Sequence, residues 1–258
     1  MRQTAVHLAA MAALSVLIGD AAAQTGSIYE ATLAEANQKT LEASTEQVRR
    51  IVADGSAILV DTRSGAEYAA GHIPNAQTLK GPVSAHVAEL EHLVGGDKSK
   101  ALVVYCNGPY CGQSRRLAEQ LVAAGFTNVR RYQLGIPIWR ALGGPTEIEL
   151  EGIVRIFKVD RTAVFVDARS AEEFAKGSIP TARNLPIETV DDTIKKMASG
   201  QLADAPLPVD DFNVRIVLFG RDATQARTIA DLLARRPWHN VSYFSGSFEA
   251  LAAALKNK

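Results

Sequence analysis

Residues 61–76 read DTRSGAEYAAGHIPNA, and residues 167–182 repeat the pattern as DARSAEEFAKGSIPTA. Each copy follows a short run of β-branched and aliphatic residues, at 57–60 and 163–166, which is typical of a buried strand that ends on the aspartate. A repeat of this length predicts two domains of similar fold.

The two halves differ in their sulfur chemistry. A later apolar run in the first half ends on Cys106, whereas the equivalent run in the second half ends on Gly220. The only other cysteine of the chain is Cys111, also in the first half. We therefore expect the first half to be reactive and the second half to lack catalytic activity.

The bulk composition limits the size and the partners of the protein. A chain of 258 residues with 47% apolar residues is long enough for two modest domains, each with its own core. Lys and Arg total 28, and Asp and Glu also total 28. Because the net charge is balanced, nothing attracts the protein to nucleic acid, and we expect no nucleic-acid partner.

Residues 1–23 have the features of a secretory signal. Arg2 supplies the positive charge, residues 8–19 form a short apolar segment, and alanines at 21–23 precede Gln24 as a cleavage site. The apolar segment is shorter than the roughly 20 residues that span a bilayer, so we expect no stable membrane insertion. A buried N-terminal helix is the alternative, but export to the periplasm is the better interpretation.

The rest of the chain divides into three parts. Residues 24–43 are polar and alanine-rich, and we expect a helical or partly disordered lead-in there. The sequence predicts domain 1 at 44–145 and domain 2 at 146–258, because the Gly-Gly-Pro at 143–145 is a natural break.

Predicted strands and helices alternate within each half. The STEQ segment at 44–47 is a capping box that begins a helix, and residues 114–124 have the spacing of an amphipathic helix ended by Gly125. The buried strands that complete the pattern are predicted at 101–105, 129–132 and 215–219. This alternation predicts an α/β protein with two tandem domains, each a parallel sheet flanked by helices.

The ordered motifs of the first half resemble the rhodanese family of sulfurtransferases. These motifs are Asp61-x-Arg63, Glu67-Tyr68, GHIP at 71–74, VVYC at 103–106, GFTNV at 125–129 and GIPIW at 135–139. The resemblance implies a parallel-sheet domain whose cysteine lies in a loop leading into a helix. It further implies that this cysteine, Cys106, takes up sulfane sulfur as a persulfide and passes it to a thiophilic acceptor. No cofactor is expected.

The residues after Cys106 suit this chemistry. A thiolate attacks sulfur, and the N–H groups and dipole at a helix N-terminus stabilise a thiolate. The expected substrate-binding residues of this loop and helix start are Asn107, Gly108, Pro109, Tyr110, Gly112, Gln113, Ser114 and Arg115. An unreactive Cys106 buried in the core is the structural alternative.

Cys111 is a possible second thiol of the site. A structural disulfide to Cys106 would close a loop too short to remove much entropy from the unfolded chain. We therefore interpret Cys106 as a reactive thiol with a second thiol nearby, and Cys111 could resolve a persulfide. A reversible bridge remains open, as does a register in which Cys111 is itself the nucleophile.

The loop departs from the rhodanese pattern in two ways. Eight positions separate Cys106 from Ser114, but six separate Gly220 from Ala226, so the first loop carries two extra residues. It also lacks the cationic side chain that the family commonly places there. The longer, neutral loop favours a bulkier small sulfur donor or a protein persulfide over thiosulfate. The expected acceptors are cyanide, a thiol or a protein thiol.

Four further motif residues are expected to hold chain geometry rather than to catalyse. These structural residues are Asp61, Arg63, Glu67 and His72. His86 and His92 have no cysteine or carboxylate partners at metal-ligand spacing, so no metal site is expected.

The sequence thus predicts an exported sulfurtransferase that works through Cys106. One alternative is a non-catalytic sulfur-relay or redox-sensing module that uses the same two cysteines. A cysteine-based phosphatase or arsenate reductase is less favoured, since such enzymes need an arginine about six positions after the nucleophile. That position is Gly112, and Arg115 comes three residues too late.

Overall fold

The structure is a computed structural model that describes residues 37–202 and 204–256. The predicted signal segment, residues 1–23, and the larger part of the predicted lead-in lie outside the described residues. Among the described residues, no helix is long and apolar enough to cross a membrane.

Domain 1 is a parallel five-stranded sheet with helices on both faces. It contains, in chain order, β1 (Leu41–Glu42), α1 (Thr45–Asp54), β2 (Ile58–Asp61), α2 (Gly65–Ala69), β3 (Gln77–Thr78), a 3-10 turn (Val83–Ala85), α3 (His86–Leu93), β4 (Leu102–Tyr105), α4 (Gly112–Ala123), β5 (Val129–Tyr132) and α5 (Gly135–Ala141). The strand order is β1-β5-β4-β2-β3.

Domain 2 repeats this architecture element by element. It contains β6 (Thr146–Ile148), α6 (Leu150–Val159), β7 (Val164–Asp167), α7 (Ala171–Ala175), β8 (Arg183–Asn184), a 3-10 turn (Ile187–Thr189), α8 (Val190–Ala198), β9 (Ile216–Phe219), α9 (Ala223–Ala234), β10 (Val241–Phe244) and α10 (Phe248–Lys256). The strand order, β6-β10-β9-β7-β8, is that of domain 1. The predicted fold class is confirmed.

Each central strand is buried on both sides, as a parallel sheet between two helical layers requires. In β4, Leu102 and Val104 pack into one apolar cluster with α4, while Val103 and Tyr105 pack into a second cluster with α5. Side chains of successive strand residues point to opposite faces, so four consecutive apolar residues supply both cores.

The structure adds short strands that the sequence did not predict, among them β3, β6, β8 and the first strand of domain 1. Leu41–Glu42, at the end of the segment expected to be a helical or disordered lead-in, form β1 and pair with β5. A two-residue strand shows no periodicity, and Leu41 is exposed, so the sequence carries no signal for it. The capping box at Ser44 is present as predicted and begins α1.

The packing register of α4 confirms the difference in loop length. Helix α4 begins at Gly112, two residues earlier than predicted, with Cys111 as its N-cap. The equivalent buried positions of α4 and α9 are Ser114 with Ala226, Leu117 with Ile229, Ala118 with Ala230 and Leu121 with Leu233. Since Ser114 and Ala226 match, the two extra residues lie between β4 and α4.

The two domains contact each other where α6 meets α2. The backbones of His72 and Glu147 form an antiparallel bridge, with N–H to O distances of 3.0 and 2.9 Å. The Glu149 N–H donates to the carbonyl of Ala69 at 3.0 Å. Gly152 of α6 lies so close to the Ala69 backbone that a Cβ atom would overlap it. We call this contact the domain seam.

Candidate active site

Cys106 is the first residue after β4 and is only 2% exposed. Its carbonyl accepts a hydrogen bond from the N–H of Ile136 at 3.1 Å. Gly135, at the start of α5, has φ +61°, and a Cβ there would overlap the backbones of Cys106 and Gly108. The start of α5 therefore packs directly against the cysteine loop, and only a glycine at position 135 allows this close contact.

A tight turn brings the second cysteine back toward the first. The Cys111 N–H donates to the Gly108 carbonyl at 3.0 Å, which closes a β-turn with Pro109 at its second position. Gly108 has φ +103°, and Tyr110 stands fully exposed at the tip of the turn. The two extra residues of this loop thus form a protruding turn.

Cys106 and Cys111 are joined by a disulfide in this structure, with their Cα atoms 6.2 Å apart. The bridge links the buried end of β4 to the N-cap of α4. A sulfur held in a disulfide cannot act as a nucleophile, so this is an oxidised state in which Cys106 does not attack. The structure therefore shows that the two sulfurs are within bonding reach.

The first turn of α4 faces the sulfur. Oε1 of Gln113 lies 3.9 Å from the Cys106 Sγ. Within the part of the chain that the structure describes, no side chain at the N-cap Cys111 accepts a hydrogen bond from the first N–H groups of α4. Such a helix N-terminus attracts negative charge. The arrangement suits a thiolate or a persulfide anion on Cys106 once the bridge is reduced.

Two arginines lie on or against α4, one exposed and one buried. Arg115, expected to bind substrate, is exposed and donates from Nε to Oε1 of Glu119 at 3.1 Å along the helix. A buried arginine that the sequence reasoning missed, Arg131 of β5, donates from Nε to the Ser114 Oγ at 3.2 Å. The sequence could have predicted its burial, because side chains alternate along β5 and residue 131 lies on the same face as the apolar Val129.

Asn107 ties the loop to α2. Its Nδ2 donates to Oε1 of Glu67 at 2.6 Å, and the Ser64 hydroxyl donates to the other carboxylate oxygen at 2.7 Å. These hydrogen bonds, that from Ser64 first, lower the pKa of Glu67. In domain 2, Arg221 makes the equivalent contact to Glu173, at 3.1 and 3.0 Å.

A cleft of about 430 Å³ opens beside the loop, between α2, the 3-10 turn after β3 and α4. Its polar and charged walls come from Thr62, Arg63, Ser64, Glu67, Lys80, His86, Gln113, Arg116 and Gln120. Gln113 both lines the cleft and approaches the Cys106 sulfur. A donor bound in the cleft would therefore lie next to the cysteine loop, among several cationic groups.

Asp61 and Arg63 form a buried ion pair below the loop. The guanidinium donates to both carboxylate oxygens, at 2.6 Å for the Nη2 to Oδ2 contact, and also to the Gly71 carbonyl at 2.8 Å. Asp167 and Arg169 form the same pair in domain 2. A pair shared by a domain with a thiol and one without has no specific link to the sulfur chemistry.

His72 lies at the domain seam. Its Nε2 is 4.0 Å from Oε2 of Glu147 and 3.9 Å from Oε1 of Glu149. The sequence predicted no metal site because His86 and His92 lack partners at metal-ligand spacing. The grouping of His72 with Glu147 and Glu149 has no local spacing, because both glutamates belong to the next domain.

Domain 2 has no thiol, and the side chain of Gln225 from α9 occupies the loop that corresponds to the cysteine loop. Oε1 of Gln225 accepts a hydrogen bond from the Arg221 N–H at 2.8 Å. A Cβ at Gly220 would lie 2.9 Å from that same oxygen. A cysteine at this position would need Gln225 to move before it could react.

The rhodanese-like domain family model matches this architecture twice, at residues 44–142 and 156–254. The chain belongs to the rhodanese-like family. The resemblance inferred from the motifs is confirmed, and the tandem arrangement with it.

Individual relatives are distant. A putative mitochondrial thiosulfate sulfurtransferase of Schizosaccharomyces pombe is 24% identical over 99 residues, which is 38% of this chain and 70% of that protein. An HTH-type transcriptional regulator of Mycobacterium tuberculosis is 35% identical over 93 residues, 36% of this chain and 38% of the regulator.

Among solved structures, a thiosulfate sulfurtransferase from Pseudomonas aeruginosa has 18% identity and a TM-score of 0.35. That match covers 81% of this rhodanese-like chain but only 41% of the other chain. The Rhodanese_3-like domain of an Anabaena protein is 30% identical over 36% of this chain and 99% of that domain, with a TM-score of 0.32.

Proposed function

We propose that this rhodanese-like protein is a sulfurtransferase that carries sulfane sulfur as a persulfide on Cys106. The observation that supports it most is the position of Cys106 between the end of β4 and the N-terminus of the twelve-residue α4. A polar cleft whose walls include Glu67, Lys80 and Arg116 opens beside it, and Gln113 links the two. Domain 2 lacks the thiol and serves as a packing partner.

The cycle begins with reduction of the Cys106–Cys111 bridge by a dithiol. The dithiol loses two electrons and two protons and becomes a disulfide, and both cysteines become thiols. The Cys106 thiolate then attacks the sulfane sulfur of the donor. The new S–S bond forms on Cys106 as the bond within the donor breaks, and the remainder of the donor leaves as an anion.

The persulfide can then react by two routes. A cyanide or thiol acceptor attacks the outer sulfur, takes it, and regenerates the Cys106 thiolate. Alternatively, the Cys111 thiol attacks the inner sulfur, forms the Cys106–Cys111 disulfide and expels hydrosulfide, with its own proton lost to solvent. The bridge in this structure is the state that the second route would leave.

The shape of the loop favours donors other than thiosulfate. Tyr110 stands fully exposed on a loop that is two residues longer than its counterpart in domain 2. The loop itself has no cationic side chain, and Arg115 is hydrogen-bonded to Glu119. We therefore propose a bulkier small donor or a protein persulfide as the natural source of sulfur.

Intact-protein mass spectrometry tests the proposal directly. The reduced protein is mixed with a sulfane donor, and we expect a mass increase of one sulfur atom that maps to the peptide of Cys106. The Cys106→Ser variant should not gain that sulfur. Absence of the gain with every sulfane donor, or its persistence in the variant, would falsify the persulfide mechanism.

The disulfide also supports a second candidate, a redox-sensing or sulfur-relay module without turnover. Such a module would open and close the Cys106–Cys111 bridge at a mild potential but would release neither thiocyanate nor sulfide. A redox titration combined with a sulfur-release assay separates the two candidates. The phosphatase alternative has no support, since Arg115 is engaged with Glu119 outside the loop.

We further propose that residues 1–23 direct export and that the mature protein is periplasmic. The charge, the apolar segment and the alanine cleavage site support this location. Fractionation of expressing cells should place the protein in the periplasm with Gln24 as its first residue. An uncleaved protein in the cytoplasmic fraction would contradict the proposal.

A further inference from the structure

His72 is held in one orientation at the domain seam. The side chain is only 1% exposed, and its ring stacks on Tyr68 with centroids 3.7 Å apart. Its Nδ1 lies 3.0 Å from the Tyr68 carbonyl, which can only accept, so Nδ1 carries the hydrogen. The other nitrogen, Nε2, then presents a lone pair toward domain 2.

Two carboxylates from domain 2 face that lone pair. Oε2 of Glu147 lies 4.0 Å from Nε2 of His72, and Oε1 of Glu149 lies 3.9 Å from the same nitrogen. These distances are too long for hydrogen bonds, and Nε2 has no hydrogen-bond partner among the described residues. The three donor atoms lie within 4.8 Å of one another.

Neighbouring groups hold the Glu147 carboxylate in place. Oε2 of Glu147 accepts hydrogen bonds from the Tyr243 hydroxyl at 3.0 Å and from the Asn75 N–H at 3.3 Å. The Glu149 side chain is anchored more loosely, with one oxygen 3.5 Å from the Ser245 hydroxyl. Metal-binding sites typically show this outer set of hydrogen bonds, including a histidine tied through its second nitrogen to a backbone carbonyl.

The electrostatics of this cluster are unfavourable without a cation. The Nδ1–H to Tyr68 carbonyl contact fixes the tautomer in which the neutral imidazole carries its lone pair on Nε2. A neutral imidazole lone pair and two carboxylate oxygens then point at one small volume. A cation bound between the three groups turns these repulsions into attractions.

We propose that His72, Glu147 and Glu149 bind a divalent transition-metal ion of the Zn²⁺ type across the domain seam. The ligands are Nε2 of the histidine and one oxygen from each glutamate. Zn²⁺ bonds of about 2.0–2.2 Å place tetrahedral donors roughly 3.3–3.6 Å apart, so the glutamates need only a small inward movement. Glu149 is partly exposed, which leaves the solvent side open for a water as fourth ligand.

This site would fasten the two domains together. One ligand comes from the loop after α2 in domain 1, and two come from the first strand and helix start of domain 2. Domain 2 has Ser178 at the position equivalent to His72, and serine has no imidazole. Among the described residues, this ligand set is therefore not repeated around Ser178. The ion therefore has a structural role at the seam, separate from the sulfur chemistry at Cys106.

Calorimetric titration with Zn²⁺ tests the site. The protein is used with its disulfide intact, or as the Cys106→Ser, Cys111→Ser double variant, so that thiolates do not bind the metal. We expect one ion per chain and at least about a tenfold loss of affinity in Glu149→Gln. Glu151→Gln is the matched control, because Glu151 lies on the same helix turn but outside the cluster. Mg²⁺ should not compete, since imidazole favours Zn²⁺.

A second readout separates loss of the site from loss of the fold. In the unmodified protein, the ¹⁵N resonance of His72 Nε2 should report an unprotonated nitrogen that shifts when Zn²⁺ is added. His72→Ser, which copies the residue of domain 2, should fold and should lose the ion. Stoichiometric binding unchanged in Glu149→Gln and His72→Ser, or no shift of the Nε2 resonance, would overturn the proposal.

Discussion

Tyr105 and Ser178 occupy different positions of the repeat, yet each places a hydroxyl on the buried aspartate of its own domain. The Tyr105 hydroxyl donates to Asp61 at 2.9 Å, and Ser178 donates to Asp167 at 2.6 Å. Domain 2 has Phe219 where domain 1 has Tyr105, so the hydroxyl has moved to a neighbouring position. Each buried aspartate therefore accepts a hydrogen bond from a hydroxyl, but the two domains supply that hydroxyl from different positions.

The Tyr105→Phe substitution should remove this hydroxyl from domain 1, where His72 stands in place of the serine of domain 2. The Asp61 carboxylate would lose a donor, and the Ile73 N–H, which donates to this hydroxyl at 3.1 Å, would lose its acceptor. We expect a loss of about 1–3 kcal/mol in the free energy of unfolding, measured by urea denaturation.

His72→Ser in the Tyr105→Phe background is the matched control. It recreates the pairing of Phe219 with Ser178 in domain 2, and we expect it to recover part of the lost stability. A chelator is present throughout, so that any ion bound by His72 does not contribute. A Tyr105→Phe protein as stable as the wild type would show that this hydroxyl is dispensable.

Cys111→Ser should separate uptake of sulfur from release of sulfide. The variant keeps Cys106 and the first turn of α4, so we expect the persulfide to form. Without a thiol to attack the inner sulfur, that persulfide should persist and sulfide release should stop. Mass spectrometry after donor removal, together with a sulfide assay, measures both steps. Unchanged sulfide release in Cys111→Ser would assign resolution to another thiol.

At the scale of the elements, the buried central strands were predicted, but the short edge strands and the start of α4 were not. Strand β5 matches the prediction at 129–132, because buried parallel strands read as continuous apolar or alternating runs. The start of α4 was placed near Ser114 because the two helical residues before it, Gly112 and Gln113, are exposed and carry no periodic signal. The loop length was still correct, because counting between equivalent buried residues does not depend on the helix boundary.

The contact between α5 and the cysteine loop yields a prediction about a single glycine. Gly135→Ala places a methyl group at φ +61° against the backbones of Cys106 and Gly108. The left-handed conformation alone costs about 1–2 kcal/mol. The overlap should also displace the loop, and we expect persulfide formation to slow by about a hundredfold.

Gly55→Ala is the control for that glycine. Gly55 has φ +67°, but a Cβ there meets nothing within 4 Å. The Gly55→Ala variant should show the same conformational loss in its free energy of unfolding, but its rate of persulfide formation should equal that of the wild type. Equal rates in the two variants, followed by mass spectrometry over time, would show that α5 does not position the loop.

At the scale of the whole molecule, the repeat predicted two domains but not how they meet. The bridge between His72 and Glu147 joins residues of different domains, and no periodicity within either domain encodes it. Gly152 lies within α6, and the close approach of the Ala69 backbone explains why a side chain is absent there. Contacts of this kind depend on how two finished domains pack, so they require coordinates.

Gly152→Ala tests the seam, because two effects predict opposite signs. Within a helix, alanine is favoured over glycine by roughly 0.5–1 kcal/mol, so helix propensity alone predicts a more stable protein. Here the added methyl group would overlap the Ala69 backbone, and we expect net destabilisation and faster proteolysis between the domains. Gly65→Ala, in α2 with open space around it, is the control that should show only the propensity effect. If Gly152→Ala raises the midpoint of thermal unfolding as Gly65→Ala does, the two domains do not pack at this seam in solution.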